Sequence, residues 1–244
     1  MSYKNKRIIA VIPARGGSKG IHRKNIYPLN GKPLIYWTIN EAKKSKLLDR
    51  IICSTDNQEI ALLARRYGAE VPFLRPSKLA LDKTPDLPVF NHALRWLRDN
   101  EGYKPDIIVH LRVTSPLRQS LHIDEAVKLL VHDNNADSVR SVCIPNENPY
   151  KMWVNKGKYL KPLLKLKGLK EPYNSARQLL PKVYWQTGLV DVTRYETIMN
   201  KHSMTGKNIL PYIIDEKYSI DIESVIGIKI AELIMRNSKS SKLA

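Results

Sequence analysis

The sequence predicts an α/β fold, a mostly parallel, Rossmann-like sheet with helices on both faces, from three observations. Short β-branched apolar runs alternate with helical periodicities along most of the chain. The first such run, Ile8 to Ile12, leads straight into a basic glycine loop. Further charged or proline-rich loops lie where strands pass into helices, the edge at which ligands bind in such sheets.

Ile8 to Ile12 is apolar throughout, as a strand buried on both faces must be, and Pro13 ends it. In the loop that follows, Gly16, Gly17 and Gly20 let backbone approach a ligand and point amides at it. Arg15, Lys19, Arg23 and Lys24 add four positive charges, which is chemistry for a polyphosphate. The spacing fits neither the P-loop nor the dinucleotide fingerprint. Ile35, Ile39 and Ala42 then mark the buried face of a helix, and Arg50 to Ser54 reads as a second strand. Ile60, Leu63, Ala64 and Tyr67 define the next helix, which Gly68 stops. Val71 to Leu74 reads as a short strand, and 75–86 as a loop into a helix carrying Phe90, Leu94 and Leu97. Ile107 to Leu111 is another buried strand; its exit, 112–118, leads to a helix capped by Ser120 or Asp124 with Ile123, Ala126, Val127 and Leu130 inward. Ser138 to Ile144 is the fifth strand. From 145 to 184 the rhythm breaks among prolines, which predicts an excursion outside the sheet for substrate recognition or dimer contact. Gly188 to Val192 and Ile209 to Ile214 return to strand, a helix lies between them at about 194–200, and a final helix buries Ile226, Ile230, Leu233 and Ile234. The chain thus reads as one domain over 1–237 with a frayed tail at 238–244.

With 244 residues, 43% of them hydrophobic, the chain can bury a large core. A formal net charge of +18 biases it towards anionic partners without choosing among them. Cys53 and Cys143 sit inside apolar runs and read as core thiols in a reducing compartment. No stretch approaches the ~20 apolar residues that cross a bilayer, and the apolar run near the start is too short for a signal peptide, so a cytoplasmic protein without a membrane partner is expected. The six histidines lack a zinc spacing. The four tryptophans read as packing residues, although Trp153 and Trp185 lie in the irregular region where they could wall a pocket. The lysine-rich 161–170 segment reads as a solvated face, and a nucleic-acid partner is disfavoured because no binding module is legible.

The string ARGGSKGIHRKN, followed by LNGKPL at 29–34, resembles the opening of the CMP-sialic acid synthetases, the acylneuraminate cytidylyltransferases. Related CMP-octulosonate synthetases lack the Lys24-Asn25 pair, and His22 stands where proline is frequent in the family. STD at 54–56, RPSKLALD at 75–82, TSPLR at 114–118, RQLLP at 177–181 and SIDIE at 219–223 continue the resemblance in the family's order.

The resemblance implies a fold of the nucleotide-diphospho-sugar transferase type. The implied reaction is transfer of CMP from CTP to the anomeric hydroxyl of an acidic keto-sugar, with Mg2+ as cofactor and a homodimer as the working form. The phosphate loop would contribute Ala14, Arg15, Gly16, Gly17, Lys19 and Lys24, with Arg15, Lys24 and Asp221 catalytic. Asn25, Arg75, Thr84 and Asp86 would line the nucleotide. Arg112, Thr114, Ser115, Lys151, Arg177, Gln178 and Asp191 would meet the sugar. Asp221 and Glu223, two apart in an extended segment, project to one face and would hold the metal; as an isolated pair they read equally as acids at a helix N-terminus. Arg112 stands where sialic-acid enzymes commonly have glutamine, Thr187 replaces an asparagine, and Asp191 replaces an aromatic residue. The acceptor half therefore departs from the family more than the phosphate half does. The alternatives are a nucleotidyltransferase of the same fold using another nucleoside triphosphate or a sugar 1-phosphate, and a basic nucleic-acid-binding protein.

Overall fold

The computed structural model describes residues 3–240. Its centre is a six-stranded sheet. In chain order the strands and helices are β1 (Ile8–Pro13), β2 (Pro28–Leu29), β3 (Lys32–Pro33), α1 (Leu34–Lys44), β4 (Arg50–Ser54), α2 (Gln58–Tyr67), α3 (Asp86–Glu101), β5 (Ile107–His110), α4 (Ser120–His132), β6 (Ser138–Cys143), β7 (Trp153–Lys156), β8 (Tyr159–Pro162), β9 (Trp185–Arg194), α5 (Tyr195–Met199), β10 (Ile209–Ile213) and α6 (Val225–Ser240). The sheet order is β10-β6-β9-β5-β1-β4. Ile8, Ala10 and Ile12 face α1, α2, α4 and α6, while Ile9 and Val11 face α3 and α5. This two-sided burial is why β1 carries no polar residue.

Several local choices follow from single residues. Asn57 caps α2, its side chain accepting from the Ile60 amide at 3.1 Å, and Gly68 ends that helix at φ +100°. Arg118 is 2% exposed and donates to Leu189 O, Arg112 O and Thr38 Oγ1. Burial, and then the neighbouring Arg112 cation, lowers its pKa to about 9 against the opposing pull of Asp191. It ties the exit of β5 to β9.

β9 runs antiparallel to both β5 and β6, so the sheet is mostly parallel with one antiparallel strand inside it. Four expectations are corrected, those for residues 71–74, the cap of α4, the inward face of α6 and the start of the tail. Residues 71–74 form no strand; a single bridge joins Ile52 to Glu70, and Pro72 has no amide to continue it. The cap of α4 is Gln119, in a reciprocal pair with His122. The segment 145–184 holds a two-stranded hairpin of β7 and β8 beside 3-10 turns. In α6 the inward residues are Ile228 and Ala231, while Ile226, Ile230 and Leu233 are 70%, 43% and 60% exposed. The tail expected at 238–244 is helical to Ser240, and the remainder lies outside the described residues. No helix among the described residues is long and apolar enough to cross a membrane.

Candidate active site

A cleft of about 440 Å3 opens beyond the carboxyl ends of β1 and β5. One wall is the loop after β1. Ala14 is fully buried and its amide donates to Ser54 O at 2.9 Å, which fixes where the loop departs. The Gly16 amide donates to Asp56 Oδ1 at 2.9 Å, so this amide is bound within the protein and not turned to a ligand, contrary to the sequence expectation. Asn25 Nδ2 donates to Arg15 O at 2.8 Å and holds the loop closed on itself. Gly20 needs to be glycine for a packing reason, because a Cβ there would lie 2.7 Å from Glu223 O. Gly17 has open space around it. Arg15, Ser18, Lys19, Gly20, Lys24 and Asn25 line the cleft, whereas Ala14, Gly16 and Gly17 do not.

The loop's cations already face carboxylates. Arg15 Nη1 lies 2.7 Å from Asp82 Oδ1, Lys19 Nζ 2.8 Å from Asp82 Oδ2, and Lys24 Nζ 2.8 Å from Glu223 Oε1. Hydrogen bonds from Lys19 and Arg15 hold the Asp82 carboxyl below its usual range. Arg75 differs from these. It is 5% exposed, its Nε and Nη2 have no hydrogen-bond partner, Asp56 stands 3.9 Å away, and burial lowers its pKa. A buried guanidinium with unmatched donors on a cleft wall is suited to an incoming acceptor oxygen.

Opposite, Ile222 is fully buried and its amide donates to Thr114 O at 2.8 Å, which turns the flanking Asp221 and Glu223 to the cleft. Neither acid caps α6, since the Ser224 hydroxyl accepts from the Gly227 amide at 3.3 Å. Asp221 Oδ1 is buried without a partner, and burial raises the Asp221 pKa. These features fit a divalent cation: Mg2+ takes one or two carboxylates and completes its shell with phosphate oxygens and water. Among the described residues no group of three or more His, Cys, Asp or Glu could hold a metal, so such an ion would depend on its substrate for most ligands.

The floor and far wall hold a charge network that sequence reasoning had divided between two substrates. Arg112 donates through Nη1 to Asp191 Oδ2 at 2.9 Å and through Nη2 to Asp86 Oδ2 at 3.1 Å. Burial lowers the Arg112 pKa, but the two carboxylates outweigh it and the net shift is upward. Asp191 also takes Arg140 Nη1 at 2.6 Å and is 2% exposed. The expectation that Asp191 meets a sugar is therefore corrected: it is a buried counterion placed by cross-strand register opposite His110 on β5 and Arg140 on β6. Arg112 is likewise no free cation. It fits beside Gly188, where a Cβ would come within 2.9 Å of Nη1. Ser115 and Thr187 are buried and bond to Gly188 O and Ser141, so they brace the wall from behind.

Asp86, Thr84 and Thr114 line the cleft as expected from sequence, as do Asp82 and His110, which sequence reasoning left out of the site. His110 packs edge-on to Phe90, with ring centroids 4.6 Å apart, and lies 3.9 Å from Asp86. Burial holds its pKa well below the ordinary histidine value, so its ring is neutral. Its position as the last residue of a buried strand was the available signal. Lys151, Arg177 and Gln178 do not join this cleft within one chain. Arg177 and Gln178 line a second pocket of about 230 Å3, where Arg177 Nη2 donates to Pro145 O at 2.7 Å. Trp153 and Trp185 are 43% and 50% exposed and stand outside the cleft.

With that geometry in view, the family follows from comparison. Residues 9–204 match the family described as Cytidylyltransferase. The chain belongs to that family. The cytidylyltransferases it resembles include the CMP-N,N'-diacetyllegionaminic acid synthase of Campylobacter jejuni, 35% identical over 93% of this chain and 94% of the relative. Another relative, the "Post-translational flagellin modification protein B" of Campylobacter coli, is 34% identical over 94% of this chain and 95% of that protein. The N-acylneuraminate cytidylyltransferase of Escherichia coli is 31% identical over 97% of this chain, which spans 54% of that longer protein. A solved CMP:2-keto-3-deoxy-manno-octonic acid synthetase, complexed with CTP, shares the fold at a TM-score of 0.69 and 12% identity, over 95% of this chain and 99% of that one.

Proposed function

We propose that this cytidylyltransferase transfers CMP from CTP to the anomeric hydroxyl of a free acidic nonulosonate of the sialic, legionaminic or a related class. The anomeric oxygen attacks the α-phosphorus, the bond to the bridging α,β-oxygen breaks, the hydroxyl proton is lost, and pyrophosphate leaves. The observation that carries the reading is one cleft of about 440 Å3, lined both by the cations Arg15, Lys19 and Lys24 and by the carboxylates Asp221 and Glu223. Such a transfer needs positioning and charge stabilisation more than covalent chemistry.

In this reading Arg15 and Lys24 stabilise charge on the phosphates, and buried Arg75 with Thr84 orients the nucleotide. Asp86 fixes Arg112 at the wall. Asp221 and Glu223 would hold Mg2+, which when bound neutralises phosphate oxygens. With Glu223 so engaged, Lys24, which pairs with it at 2.8 Å, would be free to meet the phosphate.

The working form is proposed to be a cytoplasmic homodimer. The excursion exposes Trp153, Tyr159, Leu160, Leu163 and Leu179, which a second copy would cover, placing Lys151, Arg177 and Gln178 near the partner's acceptor. The test is incubation with CTP, Mg2+ and a panel of neuraminate, legionaminate, pseudaminate and octulosonate acceptors, with mass detection of CMP conjugates. Conjugates with a nonulosonate are expected. Pyrophosphate release with another nucleoside triphosphate but not CTP would overturn the reading.

A further inference from the structure

Two cations of the phosphate loop, Arg15 and Lys19, share one carboxylate. Asp82 stands in the turn closed by the Thr84 amide donating to Leu81 O at 3.1 Å, and it reaches across the cleft mouth to Arg15 at 2.7 Å and Lys19 at 2.8 Å. Arg15 also donates to Ala80 O at 3.3 Å, so the turn is fastened to the loop by backbone as well as by charge. The Asp82 side chain is 40% exposed, and among the described residues its ion pairs are these two. A carboxylate and a phosphate group ask the same thing of Arg15 and Lys19, namely N–H donors and positive charge. They cannot both have it in full, and held side by side they repel.

We propose that Asp82 is an internal competitor of polyphosphate, a positioning residue that yields Arg15 and Lys19 to the incoming triphosphate and retakes them as pyrophosphate leaves. The inference rests on reading the 14–25 loop as the phosphate site. It makes Asp82 weaken pyrophosphate binding, so that the product departs from a loop whose cations have another anion at hand. The price in substrate affinity falls on the polyphosphate alone and leaves the acceptor untouched.

The test is calorimetric binding of inorganic pyrophosphate, in the absence of metal, to the full chain and to Asp82→Asn, Asp82→Ser, Asp82→Glu and Arg15→Ala, followed by pyrophosphate inhibition of turnover. Removing the competing charge is expected to tighten pyrophosphate binding about 2- to 30-fold in Asp82→Asn and Asp82→Ser, the scale set by two exposed ion pairs. Asp82→Glu restores wild-type binding to within about twofold. Pyrophosphate inhibition deepens by the same factor, while the acceptor's KM stays put. Tighter binding cannot arise from damage to the fold, so the direction of change separates competition from a merely structural role. Unchanged or weaker pyrophosphate binding in both neutral variants, with Arg15→Ala still weakening it, overturns the role of Asp82 alone. Unchanged binding in Arg15→Ala overturns the phosphate-loop reading and the inference with it.

Discussion

Asp191→Asn removes the charge at the centre of the buried network, and its cost can be worked from the contacts. One oxygen, Oδ2, receives Arg112 at 2.9 Å and Arg140 at 2.6 Å, and the residue is 2% exposed. Arg112 keeps Asp86 as a second partner at 3.1 Å. Arg140, whose side chain is 14% exposed, has no other carboxylate within 4.0 Å among the described residues. Deleting one partner of a buried ion pair typically costs about 3–5 kcal/mol, because the survivor stays desolvated. Asparagine keeps one acceptor oxygen, so the lower end applies, and at this chain length about 3 kcal/mol corresponds to a fall of about 6–12 °C in Tm. Urea and thermal unfolding of Asp191→Asn, Arg140→Met and the double variant form the assay. The double variant is expected to lose less than the two singles added together, since it leaves no unpaired charge on Arg140. A single variant within about 0.5 kcal/mol of wild type, or strict additivity in the cycle, would refute the description of Asp191 as a buried counterion.

Asp221→Asn is expected to abolish magnesium-dependent turnover and Glu223→Ala to be nearly as damaging, because one carboxylate holds the ion poorly; magnesium titrations superimposing on wild type would remove the metal role. Arg177→Ala should raise the acceptor's KM far more than that of CTP, as steady-state kinetics in each substrate will register, and equal losses would move Arg177 to the nucleotide side. Asp137 is held at a pKa of about 2, first by Lys201 and then by the amides of Lys207 and Asn208. A depressed folded-state pKa gives stability that is present above the unfolded value near ~4 and lost as pH falls through about 2. The stability gap between wild type and Asp137→Asn should therefore close from pH 5 towards ~2 in acid unfolding curves, and a gap independent of pH would contradict it.

What sequence made legible follows the range of the forces involved. Arg50 to Ser54 was readable to the residue because a β-branched run bounded by charge is a local signal, and Gly68 because a left-handed stop leaves few alternatives. The inward face of α6 was misread for a physical reason. The helix carries apolar residues at 226, 230 and 233 and again at 228, 231 and 235, and periodicity alone cannot choose between two stripes. Tertiary packing chose the second. The antiparallel run of β9 was hidden because apolar runs carry no direction, and a 40-residue excursion lets the chain re-enter from either end. The 14–25 loop and the Asp221, Glu223 pair, which both reach the cleft, could be picked out because each is compact in sequence. The Arg112, Asp191 and Arg140 network was not, since its pairs are 79 and 51 residues apart and exist only through strand register.

The position of the charges changes how the +18 should be understood. Sequence alone invites the reading that a basic protein is basic because it binds phosphate. In the cleft, however, five cations, Arg15, Lys19, Lys24, Arg75 and Arg112, stand among four carboxylates, Asp82, Asp86, Asp221 and Glu223, so the site is close to neutral as a whole. Its affinity for a polyphosphate must come from rearranging those pairs and from the under-bonded donors of Arg75, not from an undirected positive field. The excess lies elsewhere. Residues 145–184 carry eight lysines and one arginine against two glutamates, and none of these lysines has a carboxylate within 4.0 Å among the described residues. That charge is solvated and salt-screened, so it acts on the approach of anionic partners at low ionic strength and adds little at contact.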